Sequence, residues 1–366
     1  SLAYLALGFH FVCPTVFKSS DMTHPISGIR RHQYNVLWLI EHLLYSNWAH
    51  KKRMALGERL GQGIDDAAGI IGEGGANHEP VPVIDGSNPE EFIRMFRNRS
   101  HPVVLKNVAT NWPLFEKWTP DFFAEQYPED PVILFDAAVE NSKLAYTEGK
   151  ETKSTSLADF IRSMKEGGKD YARLLPLLDQ HPELLNDMDV SWLHAAANNG
   201  RKKSIKHQLF IGGPRTSTSM HCAIGSNLFI QVHGRKQWWI YSNKEAPLLE
   251  PIVDRSVFFR SQANSENPEG IFKKARGWTV VLEPGDILYN PPFFWHQVRG
   301  LDTNIGVGFR WFALESILKI SIPQFIMTLT ASNPSVRQAN KVKHNFAKVY
   351  AELLENQKAQ VANKPQ

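Results

Sequence analysis

Short stretches in which apolar and polar residues alternate fill the second half of the chain. The strongest lie between residues 205 and 313 and read HQLFIGG, LFIQVHG, KQWWIYS, WTVVLEP, DILYNPP, WHQVRG and NIGVGFRWF. Successive side chains of a strand point to opposite faces, so this alternation predicts β-strands that each bury one face. Strands of this length and spacing are typical of a sandwich or barrel with a jelly-roll path.

The chain before these strands mixes helical and strand patterns. From residue 81 the pattern predicts a strand VPVIDG, a helix PEEFIRMFRNR and a strand PVVLKNV. Further helices are expected at 119–127, 156–166 and 181–198, and again after residue 314 ahead of a polar tail. The predicted fold is therefore mainly β, with helices at both ends.

Residues 29–56 carry apolar side chains at helical spacing and end in a basic cluster. Leu37, Ile40, Leu44 and Trp48 recur on one face of a 3.6-residue period. We expect one amphipathic helix, with its apolar face packed on the main domain rather than on lipid.

A glycine-rich passage, GQGIDDAAGIIGEGGANHEPVP, follows this helix and predicts a linker. The predicted organisation is then a hydrophobic arm, helix and linker over residues 1–80, a main domain over 81–313, and C-terminal helices with a tail over 314–366.

The first 17 residues contain no formally charged side chain, but His10 and Pro14 interrupt them. This length is borderline for a membrane span. Two alternatives stay open: an arm packed on the protein or a partner, and peripheral membrane contact through residues 1–56. The sequence begins at Ser1 rather than Met, which is compatible with an upstream anchor or targeting peptide.

Composition bounds the function only loosely. The 366 residues are 42% hydrophobic, enough for a large core, and the 41 Lys and Arg nearly balance the 37 Asp and Glu. A net charge of +4 gives no reason to expect nucleic-acid binding. The only cysteines, Cys13 and Cys222, exclude a disulfide framework and favour an intracellular or organellar location.

Two histidines, His221 and His296, lie 75 residues apart in the strand-rich region. Strands distant in sequence face each other across the mouth of a jelly-roll barrel, and the rigid bend NPPFFW before His296 can aim its imidazole inward. Either histidine alone is more often an ordinary buried or surface residue. Thr218, Asn227 and Lys236 at nearby strand positions make a shared pocket the better interpretation.

The stretches LFIGGPRTSTSMHCAIGSNLFIQVHGRKQWWIY and GWTVVLEPGDILYNPPFFWHQVRGLDTNIGVGFRWF resemble the JmjC and cupin-like family of Fe(II)- and 2-oxoglutarate-dependent oxygenases. The region from VPVIDGSNPEEFIRMF to WPLFEKWTPDFF is similar to the N-terminal part of those domains. The resemblance covers residues 81–313. It implies a double-stranded β-helix, the jelly-roll barrel of that family, flanked by α-helices.

The resemblance also implies a cofactor set of Fe(II), 2-oxoglutarate and O₂. His221 and His296 would be the two metal-binding histidines. Thr218 and Lys236 would hold the distal carboxylate of 2-oxoglutarate, and a hydroxyl with an ammonium group suits a carboxylate in a low-dielectric barrel.

Further residues are expected around this cosubstrate. The resemblance makes Asn227 a polar pocket residue, and Tyr171 is expected to reach the same distal carboxylate. Arg173, Phe229 and Trp311 are predicted to line the pocket wall.

Ala223 departs from the family pattern, because it stands where these sites carry a carboxylate ligand. A triad of two histidines and one carboxylate leaves three metal positions open. An alanine opens a fourth position and removes one negative charge. Glu283 and Asp286 belong to the turn before the His296 bend and Asp302 lies beyond it, so none is an obvious replacement.

Three explanations of Ala223 stay open. In the favoured one, chloride or bromide fills the vacated position, as in the iron and 2-oxoglutarate halogenases, whose motif has alanine or glycine in place of the acid. In the second, the metal site has decayed and the barrel is a catalytically inactive scaffold subunit. In the third, Ala223 is an engineered replacement in a hydroxylase. The adjacent Cys222 is expected to point away from the metal as a buried bystander.

The favoured function is oxidative functionalisation of an unactivated C–H bond, with halogenation ahead of hydroxylation. The expected substrate is a small molecule, with a slight preference for a lipid-like or carrier-bound one because of the apolar arm. The C-terminal helices are expected either to pair two subunits in a homodimer or to pack on their own barrel.

Overall fold

The computed structural model describes residues 26–64, 77–97, 101–135, 153–197 and 206–332, together with residues 335 and 337. The apolar arm, most of the linker and the polar tail predicted above lie outside the described residues.

Strands of the described residues form two β-sheets. Their bounds are β1 Asn77–Pro80, β2 Val83–Asp85, β3 Val103–Lys106, β4 Pro131–Phe135, β5 Lys153–Ser156, β6 Tyr171–Leu175, β7 Lys206–Gly212, β8 Ser217–Cys222, β9 Ser226–His233, β10 Lys236–Tyr241, β11 Phe259–Arg260, β12 Arg276–Leu282, β13 Ile287–Asn290, β14 Trp295–Gly300 and β15 Asn304–Trp311. One sheet has six strands in the order β1-β12-β10-β14-β8-β11. The other has nine, in the order β2-β3-β13-β9-β15-β7-β6-β4-β5. The predicted jelly-roll fold is confirmed.

Helices flank the sheets at both ends of the described chain, as the sequence predicts. Their bounds are α1 Gly28–Leu44, α2 Asn47–Gln62, α3 Pro89–Phe92, α4 Leu114–Lys117, α5 Pro120–Gln126, α6 Leu157–Lys165, α7 Leu177–Gln180, α8 Val190–Ala197, α9 Ala246–Leu249, α10 Leu314–Ile320 and α11 Ile322–Leu329. Among the residues that the structure describes, none of these helices has the length and apolar character to cross a membrane.

The space between the two sheets is a buried, largely aromatic layer. Phe210, Phe229, Trp238, Leu288 and Val298 belong to one cluster there. Residues adjacent to them on the nine-stranded sheet belong to a different cluster, with helices α6 and α8. This alternation along each strand assigns every side chain either to the inner space or to the outer, helix-covered face.

Two glycines of β15 keep the inner space open. A Cβ on Gly306 would lie 2.4 Å from the Phe229 ring, and one on Gly308 would lie 3.3 Å from both Asn227 Oδ1 and the Phe210 ring. A larger residue at either position would displace the aromatic layer, so glycine there preserves room for a ligand.

The prediction of one helix over residues 29–56 is wrong. The chain breaks at Tyr45, which adopts a left-handed conformation with φ of 49°, and Ser46 then caps α2 by accepting a hydrogen bond from the Ala49 N–H at 3.2 Å. A serine cap with a left-handed residue before it ends one helix and starts another.

The buried face of α1 also differs from the predicted one. Leu44 and Trp48 are 72% and 59% exposed, whereas Tyr34 and Trp38 are buried. Trp38 meets Phe259 edge-to-face at 5.5 Å between ring centroids. The bulky aromatic side chains fill the gap above the six-stranded sheet, and the apolar periodicity alone did not identify them.

Both ends of the predicted linker are regular structure. Helix α2 continues to Gln62, and β1 pairs in parallel with β12 at the edge of the six-stranded sheet. The predicted domain boundary at residue 80 therefore falls between two strands of the barrel. Strands β4, β5 and β6 were also absent from the predicted elements, and β6 carries Tyr171.

The C-terminal helices pack on their own chain on one side. Ile317 of α10 and Met327 of α11 are buried in the same cluster as Trp38. Ile322 and Leu329 remain 56% and 59% exposed. The homodimer through these helices stays a prediction.

Candidate metal and cosubstrate site

A β-bulge aims two residues of β8 into the inner space. His221 pairs with His296 of β14, while Thr218 pairs with Val298. Three residue steps along β8 therefore lie opposite two steps along β14. Residues three apart on a regular strand face opposite sides, and the extra residue restores them to one side. His221, Thr218 and His296 therefore share the inner face.

The two imidazoles lie side by side, with ring centroids 4.2 Å apart. His221 Nδ1 lies 2.8 Å from the Ser219 carbonyl oxygen, and His296 Nδ1 lies 3.0 Å from that of Phe294. A carbonyl only accepts hydrogen bonds, so each Nδ1 carries the proton and each Nε2 keeps its lone pair. Backbone carbonyls thus fix the tautomer that binds a metal through Nε2.

Both histidines are neutral at neutral pH. Burial lowers the pKa of His296 to about 4. Burial, and then the charge of His296, hold the pKa of His221 well below its usual value. Metal ligands must be deprotonated, so these imidazoles need no proton loss before binding.

Lys236 forms the floor of the same inner space. It is 1% exposed, and its Nζ donates a hydrogen bond to the Tyr171 hydroxyl at 3.0 Å. Three rings surround the ammonium group at 5.1–5.5 Å from their centroids, an aromatic cage formed by Tyr171, Phe210 and Phe229. Burial lowers the pKa of Lys236 to about 7. A cation held this way gains from an anionic ligand.

The other residues predicted to line the pocket do not all lie on the inner face of the sheets. Asn227 and Arg173 lie on the inner face, where Arg173 Cζ is 5.7 Å from the Tyr171 ring centroid. Trp311 does not: it stacks on Tyr289 at 6.1 Å in the outer cluster. The prediction that Trp311 lines the pocket is wrong, because strand alternation gives the inward position to Arg310.

Ala223 follows the last residue of β8. Its carbonyl accepts a hydrogen bond from the Phe293 N–H at 2.8 Å, which ties the segment after His221 to the bend before His296. Among the described residues, no group of three His, Cys, Asp or Glu side chains is placed to hold a metal ion. The two histidines thus have no third protein ligand from that part of the chain.

Two of the three acids considered as replacements, Asp286 and Asp302, are engaged elsewhere. Asp286 forms an ion pair with Lys106 and accepts a hydrogen bond from the Glu283 N–H at 3.0 Å. Asp302 accepts one from Arg235 Nε at 2.7 Å.

Cys222 points away from the histidines, as the sequence predicts. It is fully buried in the same cluster as Trp38 and Met327, and Gln324 Nε2 lies 3.5 Å from its Sγ. Burial raises the pKa of the thiol well above its usual value. A buried neutral thiol is a poor ligand and a poor nucleophile.

Sequence reasoning missed three residues beside the histidines. Trp238 stacks on His296 at 5.5 Å with the rings 20° from parallel. Asn290 Nδ2 lies 3.2 Å from His296 Nδ1, and Arg310 lowers the pKa of both His221 and His296. The alternation in NIGVGFRWF carried the signal for Arg310, since it shares a face with the two glycines.

The donor set fits a first-row metal ion as a two-histidine centre. Two neutral imidazoles with adjacent Nε2 lone pairs are good ligands for Fe(II). Without a carboxylate from the described residues, this set would bind a metal ion more weakly than a full triad does.

Comparison with known proteins identifies the family of the chain. The model of the cupin-like domain family matches residues 89–316, more than half of the chain, so the chain belongs to that family. Relatives found by similarity are named as a lysine-specific demethylase and as a Jumonji C domain-containing protein, which agrees with the JmjC and cupin-like family. The resemblance seen in the sequence is confirmed at this level.

Three relatives illustrate the similarity. "Lysine-specific demethylase 8" of Danio rerio is 26% identical over 237 residues, which cover 63% of this chain and 58% of the relative. "HSPB1-associated protein 1" of Homo sapiens is 24% identical over 320 residues, covering 78% and 63%. "Jumonji C domain-containing protein 5" of Drosophila melanogaster is 25% identical over 244 residues, covering 63% and 59%. The chain spans about half to three-fifths of the length of the curated relatives it matches.

The low pKa of Lys236 leads us to expect that the side chain takes up a proton when 2-oxoglutarate binds. With a pKa of about 7 in the free protein, most Lys236 side chains are neutral at pH 8, and a bound dicarboxylate raises that pKa. We expect uptake of about one proton per 2-oxoglutarate at pH 8, and an affinity that falls as pH rises above 7. Calorimetry at pH 8 in buffers of different ionisation enthalpy measures this uptake. Binding without proton uptake would contradict it.

Proposed function

We propose that this chain is an Fe(II)- and 2-oxoglutarate-dependent oxygenase that hydroxylates a C–H bond. His221 and His296 are the metal ligands in this proposal, and Lys236, Tyr171 and Thr218 hold the cosubstrate. The observation that carries the proposal is the caged Lys236–Tyr171 pair on the same inner face as the two neutral histidines. A buried ammonium beside a metal-competent imidazole pair matches a ligand with one carboxylate at each end.

The bound metal and cosubstrate would supply the oxidation, in which O₂ converts a C–H bond to C–OH while 2-oxoglutarate becomes succinate and CO₂. The side chains of the protein bind and orient the metal and the cosubstrate. Lys236 donates hydrogen bonds to the distal carboxylate, and its aromatic cage excludes water, which strengthens that contact. Trp238, stacked on His296, limits rotation of that imidazole.

Hydroxylation is preferred to halogenation because of the relatives. Four relatives bear names of JmjC-domain proteins or of a lysine-specific demethylase. The halogenase hypothesis depends on one observation, the small Ala223 side chain, and stays the second candidate. The name of the Danio rerio relative makes a lysine side chain of a protein the first substrate class to test.

Succinate formation tests the proposal. Purified protein with Fe(II), 2-oxoglutarate and O₂ should form succinate, and should not when iron or 2-oxoglutarate is omitted. With candidate substrates, a mass gain of one oxygen in chloride buffer supports hydroxylation, and replacement of hydrogen by chlorine supports the second candidate. A chain that binds neither iron nor 2-oxoglutarate would instead be the scaffold considered above.

Restoring the carboxylate should strengthen the metal site. We expect Ala223→Asp to raise the affinity for Fe(II) by about 10-fold or more, because it adds an anionic third ligand. Ala223→Asn is the matched control, with nearly the same volume but no charge. Anaerobic titration with Fe(II), or with Co(II) as a spectroscopic probe, measures both. Equal affinities for the Asp variant and the wild type would show that the Ala223 position does not face the metal.

A further inference from the structure

A buried amide side chain lies against the candidate metal ligand His296. Asn290 is the last residue of β13 and is 3% exposed. Its Nδ2 lies 3.2 Å from His296 Nδ1, and the same Nδ1 lies 3.0 Å from the Phe294 carbonyl oxygen. The ring nitrogen that a metal does not need therefore has two polar neighbours.

These two neighbours require opposite states of His296 Nδ1. The Phe294 carbonyl only accepts hydrogen bonds, so beside it Nδ1 carries a proton. The Nδ2 group of Asn290 only donates, so beside it Nδ1 has to be without one. A single nitrogen cannot meet both requirements. At the same time Asn290 Oδ1 is a buried acceptor without a hydrogen-bond partner among the described residues.

Exchange of the two amide atoms removes this conflict. A rotation of the Asn290 amide by half a turn exchanges Oδ1 and Nδ2 and leaves the shape of the side chain almost unchanged. Oδ1 then accepts from His296 Nδ1–H, which it shares with the Phe294 carbonyl in a three-centre hydrogen bond. The carbonyl belongs to the backbone before β14, so the amide is the group that can adapt.

The exchanged amide also offers a donor to a second unsatisfied acceptor. Asn227 of β9 is in register with Asn290, and both lie on the inner face because Leu228 and Tyr289 belong to the outer cluster. Directly opposed residues have Cβ atoms about 4.5–5.5 Å apart, within reach of two amides. Asn227 Oδ1 is buried and has no hydrogen-bond partner in the described part of the chain. An N–H donor is what this oxygen requires.

We propose that Asn290 is a positioning residue for His296. Its Oδ1 accepts a hydrogen bond from His296 Nδ1–H, and its Nδ2 donates one to Asn227 Oδ1. This arrangement keeps the lone pair on His296 Nε2, fixes the plane of the ring and raises its basicity as a ligand. The inference rests on the proposed function, because it gives Asn290 a role only if His296 binds the metal.

NMR of the metal-free protein tests the first hydrogen bond. In protein with isotope-labelled histidine, the shifts of the two ring nitrogens identify the tautomer of each imidazole, and His296→Gln assigns the His296 signals. We expect a protonated Nδ1 whose proton exchanges slowly with water. In Asn290→Leu, which has nearly the same volume but no acceptor, this proton should move upfield and exchange faster.

Titration with Co(II), without 2-oxoglutarate, tests the consequence for the metal site. Asn290→Leu should lower the Co(II) affinity by about 10-fold, the usual effect of losing a partner of a metal-bound histidine. Asn290→Asp keeps the acceptor and should bind Co(II) no more weakly than the wild type, because a carboxylate also accepts from Nδ1–H. If Asn290 were a donor to His296, the aspartate would fail as the leucine does.

Asn267 provides matched controls. It is exposed in a loop, where its Nδ2 lies 3.0 Å from Glu269 Oε1. Asn267→Leu and Asn267→Asp repeat the two chemical changes, including the change in net charge, away from the histidines. Both should give the wild-type NMR signals and Co(II) affinity. Circular dichroism checks that every variant is folded; if Asn290→Leu is not, the wild-type tautomer and Asn290→Asp still decide.

A double-variant cycle tests the second hydrogen bond. Asn227→Leu removes the acceptor for Asn290 Nδ2. If the two amides act together, Asn227→Leu and Asn290→Leu combined should lower the Co(II) affinity by less than the product of the two single effects. Independent effects would overturn the link between Asn290 and Asn227.

Three results would overturn the role of Asn290 itself: an unprotonated His296 Nδ1 in the wild type, an Asn290→Leu variant with the wild-type Nδ1–H signal and Co(II) affinity, or an Asn290→Asp variant as weak as Asn290→Leu. Failure of the proposed function is a different result. The wild-type chain would then bind no Co(II), whereas the tautomer and the hydrogen bond of His296 would still be measured in the metal-free protein.

Discussion

Lys236→Met is expected to weaken 2-oxoglutarate binding by about 100-fold or more, because it removes the buried partner of the distal carboxylate. The side chain is 1% exposed and its Nζ touches only the Tyr171 hydroxyl and the aromatic cage in the described contacts. Solvent does not screen the attraction between Lys236 and the distal carboxylate of 2-oxoglutarate. Without Lys236 that carboxylate would lie in an apolar space.

The fold should survive this change. Methionine has nearly the same length as lysine and removes a charge that burial disfavours. Burial lowers the pKa of Lys236 to about 7, below the usual value of lysine, so the unfolded chain binds more protons between about pH 7 and 10. Stability of the ligand-free wild type should therefore rise with pH across that window, and Lys236→Met should remove this contribution.

Calorimetric titration with 2-oxoglutarate in the presence of Co(II) measures the affinity, and urea unfolding at pH 7 and 9 measures the stability. Lys244→Met is the control, since Lys244 is exposed on a turn after β10. If the Lys236 variant binds 2-oxoglutarate as tightly as the wild type, the cosubstrate does not bind on this face of the barrel.

The pairing of His221 with His296 on one face was the most predictable part of the candidate site. His221 and His296 stand out because each lies in a strand pattern and the distances between the flanking polar residues match a family. Tyr171 was predicted only through the resemblance, since nothing in KDYARLL marks a strand, and the structure places its hydroxyl 3.0 Å from Lys236 Nζ. Long-range pairing with β7 creates β6, and such pairing leaves little trace in local sequence.

The errors in predicting which side chains face the inner space share a physical cause. Thr218 and His221 are three residues apart, and only the bulge in β8 brings them to one face. Arg310 and Trp311 are adjacent, so the choice of which faces inward depends on the register of β15 against β9. Neither the composition nor the hydrophobic periodicity of a strand determines its bulges or its register. Contacts with the neighbouring strands determine both.

Arg53→Ala is expected to lower the free energy of unfolding by about 3–5 kcal/mol, the largest stability change we predict. Arg53 is 1% exposed in α2. Its Nε donates to Glu41 Oε2 at 2.6 Å, and its other nitrogens donate to the Tyr34 hydroxyl at 2.7 Å and to the Pro251 carbonyl at 3.1 Å. Alanine would leave a buried carboxylate, a hydroxyl and a carbonyl without this partner.

Urea unfolding of the wild type and of two further variants tests this expectation. Arg59→Ala removes an exposed arginine of the same helix and should change stability by less than about 0.5 kcal/mol. Arg53→Met combined with Glu41→Leu replaces both buried charges by apolar side chains and should recover most of the loss. A single Arg53→Ala variant as stable as the wild type would mean that α1 and α2 are not held to the Pro251 segment by this pair. The helices would then contribute to the barrel only through the apolar contacts of Trp38 and its neighbours.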